Sequence, residues 1–199
     1  MRRLGWLGLA VLLGWGALGW WQQRPLHPPP GVLAAQAPEQ VDLEDGTLLR
    51  QGDTTLRTRA HIALTARVLS REDYRWDAGA SLAPTDLALG WGRMSDSAVL
   101  AGIDISQSSR FFYWHVREFP IPRREIETSA TNMHLIPADD GVRYAMKHVR
   151  PGELVHLEGF LVDASRPDGW HWRSSLTRED TGDGACELVY VEELEPVAP

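Results

Sequence analysis

Apolar and polar residues alternate with a period of two in several separate stretches of this chain, and that pattern most limits what it can fold into. Ile62, Leu64, Ala66 and Val68 alternate with His61, Thr65 and Arg67. Phe112, Trp114 and Val116 alternate with Tyr113 and His115, and Val155, Leu157 and Leu161 stand opposite His156 and Glu158. Successive strand side chains point to opposite faces, so each stretch predicts a strand with one apolar face. Further strands are predicted at Ile126–Ile136, with Met133 and Leu135 inward, and at Cys186–Leu194. Another is predicted at Trp170–Leu176, after the turn Pro167-Asp168-Gly169.

Helical signals are fewer. Asp139 is placed to cap a helix running to about His148, with Val142, Ala145, Met146 and Val149 on one side. Two short helices are predicted. Pro84–Leu89 has proline in its first turn and Gly90 at its end; Asp96–Ala101 has Ser95 as N-cap and Gly102 as its stop. Arg150-Pro151-Gly152-Glu153 reads as a type II turn. The fold class implied is mainly β (α+β): a small antiparallel β-barrel or twisted sheet, with one main helix and two short ones. A helix between the third and fourth strands of such a set is the order of the oligonucleotide/oligosaccharide-binding arrangement, so the domain is expected to be OB-like.

The first residues set the compartment. Met1-Arg2-Arg3 precedes Leu4 to Trp21, 18 residues without a charge. At about 1.5 Å per residue that run spans roughly 27 Å, close to a bilayer's hydrocarbon thickness. Cleavable signals have shorter apolar cores and a small-x-small site. Ala35-Gln36-Ala37 lies far beyond the run and precedes Pro38. The expectation is therefore an uncleaved transmembrane helix at 4–21 after a cytoplasmic n-region at 1–3, with everything after Trp21 outside the cytoplasm. Pro25, Pro28, Pro29, Pro30 and Pro38 make 24–40 read as an extended linker. Residues 22–59 form linker and lead-in, with a small hairpin between 41 and 59, and 60–195 form the domain.

The formal net charge is −7, which opposes binding to nucleic acid or to anionic headgroups, so no nucleic-acid partner is expected. Cys186 is the one cysteine and cannot form an intrachain disulfide. In its alternating context it reads as a buried, inert thiol.

Three predicted strands each carry a histidine opposite the apolar face: His115, His134 (beside Asn132) and His156 (beside Glu158). Such a face suits a polar ligand or a metal, but it is equally the wet side of a one-sided sheet. No metal, cofactor or catalytic residue is assigned from it. A second cluster, Tyr74-Arg75-Trp76-Asp77 with Asp86 through Asp96, mixes aromatic, acidic and basic residues around Gly90-Trp91-Gly92. It suits a groove for a polar ligand, or its tryptophans cap the open end of a barrel and pack on its core. The candidate ligand-binding residues are Trp91, His115, Arg124, Asn132 and His134. No Walker loop, nucleophile elbow, H-E-x-x-H or C-x-x-C is present.

The segments "YRWD", "DLALGWGRMSD", "RREIETSATNMHLIPAD" and "GWHWRSSLTRED" resemble a group of membrane-anchored proteobacterial proteins of no assigned activity. The resemblance covers most of the chain after Ala60. It implies a Gram-negative inner-membrane setting with the domain in the periplasm, and it brings no catalytic residue. The expected protein is a single-pass inner-membrane protein with a periplasmic β-rich binding or interaction module. Its partner would be another envelope protein or a polar ligand. The alternative is a periplasmic hydrolytic or metal-dependent enzyme using His115, Asn132 and His134, with Arg124.

Overall fold

The computed structural model describes residues 24–180, 182 and 184–198. The membrane helix expected at 4–21 lies outside the described residues. Among those described, no helix is long and apolar enough to cross a membrane. Among the described residues the protein is mainly β, with ten strands and three α-helices. The strands are β1 (Glu39–Asp42), β2 (Leu48–Gln51), β3 (Thr54–Asp73), β4 (Thr85–Gly90), β5 (Ile103–Ser108), β6 (Phe111–Val116), β7 (Ala130–Pro137), β8 (Leu154–Ser165), β9 (His171–Trp172) and β10 (Glu187–Pro196). The helices are α1 (Ser97–Leu100), α2 (Arg123–Thr128) and α3 (Asp140–His148).

The alternation seen from Ala60 to Val68 belongs to one strand of 20 residues, β3. One edge of β3 pairs antiparallel with β8 from Thr55 to Arg67. The other edge pairs in turn with β2, β1 and β4. From β4 the pairings continue antiparallel to β7, parallel to β10, then antiparallel to β8. Since β8 returns to β3, β3-β4-β7-β10-β8 forms a ring of hydrogen-bonded strands. Hairpin β5–β6 is a separate two-stranded sheet.

The inward residues are those the alternation selects. Ile62, Leu64, Val68, Met133, Leu135, Val155, Leu157 and Leu161 are buried in one core cluster, closed at one end by Val142, Met146 and Val149 of α3 and its C-terminus. Asp139 caps α3 by accepting from the Val142 N–H at 2.8 Å. Trp114, expected in this core, is only half-buried. It packs in a satellite cluster with Met94, Ile103, Ile121 and Ile126.

Several local expectations are corrected. Pro84–Leu89 is not a helix; Thr85–Gly90 is β4, wholly buried. A helix this short leaves most of its own backbone groups unpaired, whereas β4 gains ladders on both edges. The strand expected at Ile126–Ile136 starts four residues later, because α2 occupies its first part, supported by an Arg123–Glu127 pair at 2.8 Å. Helix α1 is capped by Asp96, not Ser95: the Asp96 carboxylate accepts from the Ala98 N–H at 2.8 Å. Of the strand expected at Trp170–Leu176 only β9 forms. Beyond it Ser175 turns to Cys186 and Asp180 and closes its own loop.

The proline-rich segment does not stand free. Leu26 N–H donates to the Pro151 carbonyl at 2.7 Å. The N–H groups of Leu33 and Ala34 both donate to Ser95 Oγ at 3.0 Å, and Gly31 N–H donates to Asp96 at 2.9 Å. Gly152 has φ +87°, as the predicted type II turn requires, and a Cβ there would lie 1.9 Å from the Leu26 carbonyl oxygen. The lead-in then joins the sheet as β1 and β2.

Candidate functional site

The β4–β7 register sets Asp86 opposite His134 and Ala88 opposite Asn132, on the outer face of the ring. This is the face the alternation assigned to Asn132 and His134, but it is not wet. His134 is 2% exposed and Asp86 0%. A second layer covers them: residues 74–84, β9 and the tip of hairpin β5–β6.

That tip is Ser109-Arg110, with φ of +53° and +72°. Both central residues of a two-residue hairpin turn are left-handed here, the type I′ geometry normally given to Asn and Gly. A non-glycine residue in that region costs of order 1–3 kcal/mol and persists only when its surroundings hold it. Arg110 is held at every polar group but one. Its N–H donates to the Tyr74 hydroxyl at 2.9 Å, and its carbonyl accepts from Asn132 Nδ2 at 3.0 Å. Its guanidinium donates to Asp86 at 2.7 Å, to the Ala83 carbonyl at 2.9 Å and to both oxygens of Asp77 at 3.0 and 2.9 Å. It also lies 3.6 Å from the centroid of the Tyr74 ring.

Burial pushes the Tyr74 phenol up to about 12, so it stays neutral while it accepts. Burial also acts to raise the Asp77 carboxyl. Hydrogen bonds from Arg110 and the Gly79 N–H outweigh it and hold that carboxyl below the usual range. His134 Nδ1 is 2.8 Å from Asp86 Oδ2, and its ring packs on Trp172 with centroids 4.6 Å apart. Among the described residues Asp86 Oδ2 and His134 Nδ1 are buried with only each other for a partner, and Arg110 Nε is buried with none. A buried donor without a partner is uncommon in folded proteins, and here it stands beside a buried acid–histidine pair.

Two cavities open beneath the hairpin and meet at Phe111 and Cys186. One, about 460 Å3, is bordered by Arg110, His134, His171, Trp172 and Arg173. The other, about 300 Å3, has apolar walls from Phe111, Phe112, Trp114 and Ile126 and a polar floor of Thr131, Asn132, Arg178 and Glu187. The Cys186 thiol is pushed up to about 11 by burial, against a smaller opposing effect of its hydrogen bond with Asn132, so it is held as an inert thiol.

Glu187 shares the inward face with Val189 and Val191, at the end of the ring opposite α3. Its carboxyl is fully buried. It pairs with Arg178 Nη1 at 2.9 Å and accepts from the Thr131 hydroxyl. Burial pushes it up to about 7, with Arg178 and Thr131 acting to lower it. A buried carboxyl that titrates near neutral pH beside a cavity can exchange a proton with a ligand.

The candidate residues read from the sequence divide. Asn132 and His134 lie in the groove. His115 does not: it is exposed on β6, opposite Asp104 of β5, in a sheet that does not pair with β7. The expectation that His115 and His134 sit on adjacent strands of one face is therefore corrected; hairpin β5–β6 folds over β7 instead of extending its sheet. Trp91 is 4% exposed, packs on Ala34 and Leu154, and borders neither cavity. Arg124 is on the surface, 3.4 Å from Glu179. Tyr74, Asp77 and Asp86 do come together from the aromatic–acidic cluster. Arg110, Trp172, Arg178 and Glu187 escaped the sequence reading. Only Glu187 left a usable signal, a charge in the inward register of a predicted strand. Among the described residues no group of three or more His, Cys, Asp or Glu could hold a metal ion.

The chain matches no protein family, no curated protein and no solved structure.

Proposed function

We propose that this chain is an envelope-tethered binding module: an OB-like barrel, carried by a membrane anchor at residues 4–21, that holds a polar ligand in the groove under hairpin β5–β6. The OB-like reading is supported by a ring of five strands, a parallel third–fifth pair (β7–β10) and a helix between the third and fourth strands. In barrels of that kind the second and third strands and the loops after the first and fourth strands form the ligand face. Here the corresponding elements are β4, β7, residues 74–84 and residues 166–186, and they surround the two cavities. The observation that carries the reading is Arg110, pinned at a strained turn over the buried Asp86 and His134. The periplasmic placement rests on Arg2-Arg3 and the uncharged run after them. A set of His115, Asn132 and His134 as enzyme residues loses its basis, since His115 lies on another sheet.

The test is a thermal-shift and fluorescence screen of small polar compounds against the full chain in a mild detergent. Ligands should bind near Trp172 and lose at least tenfold in affinity with Arg110→Ala, but not with Arg124→Ala. Ligands equally indifferent to both substitutions would refute the groove.

A further inference from the structure

We propose that hairpin β5–β6 is a lid, hinged on an apolar base and latched at its tip by Arg110, which lifts as a unit to let small solutes reach His134. The lid concerns access to the groove and stands whichever ligand the groove holds.

The hairpin is not tied into the ring by a ladder. β7, which it covers, is already paired on both edges, with β4 and with β10. β5 and β6 pair with each other, from Ile103 and Val116 at the base to Ser108 and Phe111 at the tip. Side chains therefore hold the hairpin down, and they divide by position. At the base Ile103, Ile105, Trp114 and Val116 pack with Met94, Ile121 and Ile126. That burial fixes the base. Toward the tip, Phe111, Phe112 and Tyr113 join no core cluster of the described residues and border the cavity of about 300 Å3 instead. Side chains over a hollow lack the contacts that would anchor them.

Polar groups hold the tip. Gln107 Nε2 donates to Asn132 Oδ1 at 2.6 Å, while Gln107 Oε1 is buried without a partner. Arg110 carries the rest, through Asp86 at 2.7 Å and both oxygens of Asp77. Asp86 is fully buried, but the Asp77 side chain is 40% exposed, so water competes for that arm of the latch. The turn works against the latch. Ser109 and Arg110 both hold left-handed backbone that neither residue favours, and the turn is free to relax once the carboxylates let go. The chain on either side of the base is irregular, at 101–102 and 117–122, which lets both arms bend there. A base fixed by burial and a strained tip pinned by ion pairs over a hollow put the motion at the tip. Beneath that tip lies His134, 2% exposed and backed by Asp86.

The experiment is modification of the full chain by diethyl pyrocarbonate in non-ionic detergent, mapped by peptide mass spectrometry, with the exposed His115 and His171 as internal standards. A group sealed in the closed state reacts only through its open fraction. In wild type His134 should react far more slowly than His115. Arg110→Ala should speed it by about tenfold, and Asp77→Asn, which keeps Arg110 on Asp86, should speed it less. Ser109→Asn, a better residue for this turn on an exposed position, should slow it. Leu157→Ala, which weakens the ring core, should leave it nearly unchanged. Hydrogen exchange on the same samples should show the β5–β6 ladder still protected in Arg110→Ala and Asp77→Asn. Equal reactivity of His134 and His115 in wild type would overturn the proposal, as would a His134 rate indifferent to both latch variants. Acceleration by Leu157→Ala as large as by Arg110→Ala would show access through global unfolding, and loss of ladder protection in the latch variants would show a tip that unravels; either result would overturn the lid.

Discussion

Replacing Glu187 by glutamine should change how the stability of this domain depends on pH. In the folded protein burial raises this carboxyl from 4.5 to about 7. Between those values the folded state holds a proton that the unfolded state has released. Stability therefore falls as pH rises through this window, and the favourable contribution is fully present only below the unfolded value. The difference corresponds to about 3 kcal/mol, of which roughly 2.5 kcal/mol falls between pH 5 and pH 8. Glutamine does not titrate. Its stability relative to wild type should rise by that amount across the same range, a relative gain of roughly 5–10 °C in Tm for a domain of this size. Asp77, Asp96 and Glu125 are held below the usual carboxylate range and contribute with the opposite sign, losing stability as pH falls. They are common to both proteins and cancel in the comparison. Scanning calorimetry of both chains at pH 5, 6, 7 and 8 measures it. Parallel profiles would show that Glu187 is ionised throughout, and the argument from burial would be wrong.

Leu157 is fully buried within the ring, so Leu157→Ala should cost about 2–5 kcal/mol, read as a fall in the denaturation midpoint. Gly79→Ala should disturb the groove without touching its polar groups, because a Cβ there would meet the Trp172 ring at 2.5 Å; the measurement is a change in tryptophan emission. Ser95→Ala removes the acceptor for the Leu33 and Ala34 N–H groups and should destabilise by about 1–3 kcal/mol while exposing the segment before residue 36 to protease. An alkaline phosphatase fused after Pro199 should be active, with an intact N-terminus in the membrane fraction; a mature chain starting near Pro38 would refute the anchor.

The parts of the fold that alternation could reveal were legible. β3, β6 and β8 were visible because one face of each is apolar and the other polar. β4 was not, since Thr85–Gly90 is buried on both faces and shows too little contrast for its period to stand out from a short helix. Pro84, just before it, then misled. Asn132 and His134 were legible by parity, but their burial was not, because it comes from elements distant in the chain. His115 shared the pattern and not the place: alternation fixes the face of a strand without saying which sheet the strand joins. Arg110 gave no sign, since Ser109-Arg110 lacks the Gly or Asn that usually marks such a turn. The linker was misread for a similar reason. Proline predicts extended chain, but extended chain can still dock through its backbone, as it does at Pro151 and Ser95.

That docking limits where the domain can go. Between the end of the uncharged run at Trp21 and Leu26, whose N–H is held by the Pro151 carbonyl, there are five residue steps, at most about 18 Å of chain. On the proposed anchor the domain is a short-leashed head with a preferred attitude, not a ball on a string. With that anchor, the side carrying Pro151 and the C-terminus of α3 would be drawn toward the bilayer. The Glu187 mouth lies at the other end of the ring and, on such an anchor, would face away from the bilayer.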